Sequence, residues 1–110
     1  MIKEEFDKIF EEQMKVWQNY SKQGTIEWTW EIAAQDLQYQ MGSLTKRILQ
    51  LQNKRYDDKL TKDEIKEHIA DELADIVAEC LFIANGLDID MGKAYNNMLE
   101  SDKKKISERS

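Results

Sequence analysis

The chain has 110 residues, enough for one modest hydrophobic core but not two. Its composition, 41% apolar and 35% charged, is that of an ordinary soluble domain, and a net charge of −6 argues against binding nucleic acid through a basic face. No proline and only four glycines favour long helices, and no apolar run is long enough to cross a bilayer.

The periodicity predicts four helices. The first, from about Lys3 to Tyr20, repeats Phe6, Ile9, Phe10, Met14 and Trp17 at spacings that give one apolar face. Ser21 to Thr25 reads as a loop around Gly24. The second helix starts at Thr29 or Trp30 and runs to about Asn53. Leu37, Met41, Leu44, Ile48 and Leu51 form its packing seam, and Asp36, Gln40, Ser43 and Arg47 form the polar stripe beside it. Gly42, in mid-helix, costs about 1 kcal/mol relative to alanine and suggests close approach of another helix or a ligand. Lys54 to Leu60 is a charged connection. Thr61 followed by Glu64 has the pattern of a capping box opening the third helix, which ends near Asn85-Gly86 with Gly86 as a left-handed cap. Asp88 or Asp90 caps the fourth helix, which carries Met91, Ala94, Tyr95, Met98 and Leu99. Residues 103–110 form a polar tail of the kind that frays.

The third helix holds the most informative stretch, His68-Ile-Ala-Asp-Glu-Leu-Ala-Asp-Ile-Val-Ala-Glu79. A helix advances about 100° per residue, so His68, Glu72, Asp75 and Glu79 share a stripe. Ile65, Ile69, Leu73, Ile76, Cys80 and Ile83 make the next one, and Ala70, Val77, Leu81 and Ala84 widen the apolar arc. Carboxylates at the edge of such an arc are expected to be partly desolvated, which is costly unless they are paired or bound to metal. An acidic stripe is also the ordinary wet face of a helix.

Short connections between long helices imply an antiparallel four-helix bundle, all-α, with residues 1–110 as one domain. Trp17, Trp28, Trp30 and Tyr39 are more aromatic mass than one thin bundle buries, so a homodimer or tetramer is expected to complete it. The lone Cys80 cannot form an internal disulfide and reads as a small buried hydrophobe. With no signal-peptide pattern, the expected location is cytoplasmic.

Glu72 and Asp75 are three residues apart, so one Mg²⁺, which takes oxygen ligands, can touch both. Glu79 lies a turn onward, and His68, a turn before Glu72, reads as an ordinary surface or hydrogen-bonding residue or, alternatively, as a partner that pairs with Glu72. Asp71-Glu72-Leu73-Ala74-Asp75-Ile76-Val77, then Gly86-Leu87-Asp88-Ile89-Asp90, then an amphipathic helix reaching Asp102-Lys103-Lys104, resembles the all-α nucleoside triphosphate pyrophosphohydrolases, the MazG-like superfamily. The resemblance covers the second to fourth helices. It implies hydrolysis of a nucleoside triphosphate to monophosphate and pyrophosphate with Mg²⁺, or Mn²⁺, held by an E-E-x-x-E motif on one helix and an E-x-x-D motif on the next. Glu72 and Asp75 match the second motif. Where the first is expected, the chain reads Tyr39-Gln40-Met41-Gly42-Ser43-Leu44: the Gly and Leu align, but Tyr39, Gln40 and Ser43 replace all three acids. The Lys and Asn that the family commonly offers to phosphates fall at Met98 and Asp102, with Lys103 and Lys104 a short way on.

A relocated metal set of Asp36, Gln40, Glu72, Asp75 and Glu79 is geometrically possible across the two helices. Glu72, Asp75 and Glu79 would be its catalytic carboxylates. Without metal, such a cluster raises its members' pKa values or requires a cation such as Lys46 or Arg47. Trp28 or Trp30 would stack on a base, and Lys103 and Lys104 would meet phosphates. The expected function is a divergent nucleotide pyrophosphohydrolase. The alternative is an inactive helical oligomer, without cofactor, that binds a nucleotide or a protein.

Overall fold

The computed structural model describes residues 2–22, 29–53 and 59–109, apart from the side chains of residues 2, 3, 6, 17, 18 and 20–22. Among these the chain is all-helical, without strands: α1 (Ile2–Lys22), α2 (Trp30–Leu51), α3 (Lys62–Gly86) and α4 (Met91–Arg109). The side chains of Phe6 and Trp17, and Gly24, Trp28 and most of the charged connection, lie outside what the structure describes. No helix among the described residues is long and apolar enough to cross a membrane.

Local chemistry sets the helix ends. Thr29 has an extended backbone and its side chain accepts from the Ile32 N–H at 3.3 Å, which satisfies one of the open donors of α2. The capping box of α3 is reciprocal: the Glu64 N–H donates to Thr61 Oγ1 at 3.1 Å, and the Thr61 N–H donates to Glu64 Oε1 at 3.2 Å. Asp90, rather than Asp88, caps α4, accepting from the Lys93 N–H at 3.0 Å. Asp88 instead closes α3. It is left-handed (φ 57°), and the Ile89 and Asp88 N–H groups bond back to the Ala84 and Asn85 carbonyls at 2.8 and 3.2 Å. Gly86, expected at that position, is the last helical residue. A short polar side chain tolerates the left-handed region, so the motif closes on an aspartate. Asn53 (φ 58°) plays the same part after α2. The polar tail stays helical through Arg109.

The chain divides into two compact units: Trp28–Ile83, with α2 and most of α3, and Met1–Glu27 together with Ala84–Ser110, with α1 and α4. In the first unit Ala33, Ile65 and Leu81 are buried, together with Gln50 and Glu79; in the second, Ala84 is buried. The expected seam of α2 is only partly inside. Leu37, Leu44 and Leu51 are half-buried, whereas Met41 and Ile48 are exposed. Leu73 and Val77 on α3 are exposed as well, while Ile69, Ile76, Cys80 and Ile83 are half-buried. Nothing lies near the space a Cβ at Gly42 would fill, so the close approach expected there is absent within the described chain. Ile9 on α1 and Tyr95, Met98 and Leu99 on α4 are also exposed. The inward face of α2 is instead centred on the polar stripe, for a reason seen in what that stripe touches.

Candidate functional site

Two contacts fix how α2 meets α3. The Ser43 hydroxyl donates to Glu72 Oε1 at 2.7 Å, and the Asp36 and Glu79 carboxyls share a hydrogen bond. The contacts are equally spaced along both helices, and climbing α2 descends α3, so the pair is antiparallel. In this register Gln40 lies level with Asp75, Arg47 with His68, and Gln50 with Ile65. The polar stripe of α2 thus faces the acidic stripe of α3. Hydrogen bonds between the two helices are the reason that stripe turns inward in preference to Met41 and Ile48.

Within this interface the carboxylates differ. Glu79 is only 8% exposed, and its Oε2 is buried without a hydrogen-bond partner. Burial, then the hydrogen bond and charge of Asp36, then the charge of Asp75, push its pKa up to about 8. Asp75 is exposed at the rim. Partial desolvation first, then the charges of Glu72, Asp71 and Asp36, raise its pKa. The mutual pKa raising expected of a metal-free cluster is therefore present at two of its members. Glu72 is half-buried and held by Ser43. Asp36 accepts from Gln40 Nε2 at 3.3 Å, so Gln40 supports an acid one turn before it.

The structure thus brings Asp36, Gln40, Glu72, Asp75 and Glu79 to one interface, with Ser43 among them. Trp30, half-buried, is the first residue of α2. Lys103 and Lys104 belong to α4 in the other unit, and Lys103 pairs with Glu100 at 3.4 Å. His68 is half-buried.

Neither the partner of Ser43 nor the burial of Gln50 is evident from the sequence. Ser43 stands where the resemblance expects an acid, yet it bonds the matched Glu72. Gln50 is 1% exposed and accepts from the Arg47 guanidinium at 3.1 Å, while Arg47 Nε is buried without a partner. The signal was there: Gln50 continues the stripe of Asp36, Gln40, Ser43 and Arg47 by one more turn.

Whether these residues suit a divalent cation can be judged from the donors. Glu79 Oε2 is a buried carboxylate oxygen without a proton donor, in a cluster whose charges oppose one another, and a cation answers both conditions. Among the described residues, no three Asp, Glu, His or Cys side chains converge tightly enough to enclose an ion. The carboxylate oxygens of the described residues are of the kind Mg²⁺ takes, but they do not form a closed set of ligands around one ion.

Comparison with protein-family models, curated proteins and solved structures found no match to this chain.

Proposed function

We propose that this protein is a divergent MazG-like nucleotide pyrophosphohydrolase, an antiparallel bundle of four helices that works as a homo-oligomer and cleaves a nucleoside triphosphate to monophosphate and pyrophosphate with Mg²⁺. The observation that carries the reading is the Asp36–Glu79 pair with Asp75 beside it. It restores acidic groups from α2 to the matched Glu72 and Asp75 on α3, one turn before the position where the first motif lacks them. Exposed Tyr39, Met41, Ile48, Leu73 and Val77 favour a second copy.

One or two of Asp36, Glu72, Asp75 and Glu79 would hold the cation, with the others lending charge and Gln40 steadying Asp36. The cation would offset phosphate charge and favour deprotonation of the attacking water. Glu79, whose pKa burial and Asp36 raise, would take a proton from that water in its deprotonated form, which a bound cation favours. Ser43 keeps Glu72 in one rotamer, and burial against α2 keeps Glu79 out of bulk water.

A second reading has its own support. The Ser43–Glu72 and Asp36–Glu79 hydrogen bonds engage these carboxyls within the chain, as in an inactive oligomer that kept the fold and binds a nucleotide or protein. Calorimetric titration with Mn²⁺ and Mg²⁺, with and without a non-hydrolysable nucleoside triphosphate, separates the two. The enzyme reading expects metal binding that nucleotide strengthens and that Glu79→Gln weakens at least tenfold, with pyrophosphate released from hydrolysable substrate. No metal binding and no release would leave the inactive oligomer.

A further inference from the structure

Among the described residues, Arg47 is a cation without an anion. Its side chain is half-buried, its Nε is buried with no partner, and its one hydrogen bond among the described residues goes to the neutral Gln50. No carboxylate among the described residues forms an ion pair with it, although the chain has 22 acidic residues and its own stripe faces three of them. A guanidinium stays charged at any working pH, and withdrawing it from water without a counter-charge is unfavourable. Gln50, itself 1% exposed, holds one arm of the fork in place. The result is a fixed, incompletely used donor fork, a geometry that matches the oxygens of a phosphate.

Its position gives the fork a role. Arg47 lies one turn, about 6 Å, along α2 from Ser43, whose hydroxyl holds Glu72. It is level with His68 on α3. The acidic stripe alone would repel a polyphosphate, and a cation at this end offsets that repulsion. We infer that Arg47 anchors the phosphate chain of the ligand at the Glu72 end of the acidic stripe, through the arm of its guanidinium that Gln50 does not hold. That the phosphate chain belongs to a nucleotide rests on the pyrophosphohydrolase reading; the anion site does not.

The test is calorimetric titration of inorganic pyrophosphate into the full chain, with and without Mg²⁺, for wild type, Arg47→Met and Arg47→Lys, with melting temperatures measured alongside. Wild type should bind pyrophosphate and melt higher in its presence. Arg47→Met should bind at least tenfold more weakly and lose that thermal shift, while binding Mn²⁺ alone as wild type does. Without ligand it should melt no lower than wild type, because an unpaired cation has been removed. Arg47→Lys, which keeps the charge and loses the fork, should fall between them, and it decides the matter if Arg47→Met does not fold. Failure of wild type to bind pyrophosphate, or equal binding by the variants, would overturn the assignment. So would a loss of oligomeric mass in Arg47→Met with pyrophosphate binding unchanged, since a second copy's carboxylate would then be the counter-charge. If wild type binds no metal and hydrolyses nothing, yet pyrophosphate binding depends on Arg47, the anion site stands and the pyrophosphohydrolase reading fails.

Discussion

The α2–α3 pair and α4 use similar sequence material differently. In the pair, Ala33, Gln50, Ile65, Glu79 and Leu81 are buried, and hydrogen bonds between side chains tie one helix to the other. In α4 no residue is buried, although Met91, Tyr95, Met98 and Leu99 recur at helical spacing. An apolar period marks a face that can be covered; it does not say what covers it. In the pair the covered face carries polar groups that find partners, and in α4 the apolar residues remain in contact with solvent.

Stability should divide along the same line, and the largest effect belongs to the pair. Ile65 is 2% exposed and level with the buried Gln50, so truncating it leaves a void in the interior of the pair. Ile65→Ala should cost about 2–5 kcal/mol in chemical denaturation. A loss below about 1 kcal/mol would mean that the pair is no better packed than α4.

The polar part of the interface should appear in the pH dependence of metal-free protein. Glu79 has a folded pKa of about 8 against an ordinary value of 4.5. Below 4.5 it is protonated in both folded and unfolded chains and contributes no difference. Between 4.5 and 8 the unfolded chain releases the proton that the folded chain retains, so stability falls as pH rises, and it levels off above 8. One pKa unit corresponds to about 1.4 kcal/mol, and relaxation of the site reduces the total, leaving a swing on the order of 2–3 kcal/mol. Asp75, also raised, acts in the same direction. Glu79→Gln should flatten most of the slope and be more stable than wild type at pH 9. An unchanged slope would place the titrating proton elsewhere.

How much of this was legible follows from which interactions are local. Helix ends were readable where a side chain caps its own helix, as Thr61 with Glu64 and Asp90 with Lys93 do, because the partners are three residues apart. The cap after α3 falls at Asp88 and not at the expected Gly86, because residue type alone does not fix where the chain reverses. The acidic members of the site were readable as a stripe on α3 and an acid a turn early on α2. Which face of α2 turns inward was not. Apolar content favours Leu37, Met41, Leu44 and Ile48, and the choice is made by bonds such as Ser43 to Glu72, between residues far apart in sequence. The buried state of Gln50 and the idle Nε of Arg47 depend on that choice and were hidden with it.

The smallest effect tests the other side of the comparison. Ile106 is 70% exposed on α4, and the charges of Lys103, Lys104, Lys105, Glu108 and Arg109 surround it in sequence. If α4 is as open in solution as its exposure indicates, Ile106→Gln removes almost no buried apolar surface. Glutamine also has the higher helix propensity, so the change in unfolding free energy should stay within about 0.5 kcal/mol. The measurement is a pair of denaturation curves at two protein concentrations tenfold apart. Equal curves at both support an open helix. A loss of more than about 1 kcal/mol would require that Ile106 be buried in solution. If that loss grows with concentration, the covering surface is another copy of the chain, and the solvent-facing side of α4 is then part of an interface, as proposed for Met41 and Leu73 on the pair.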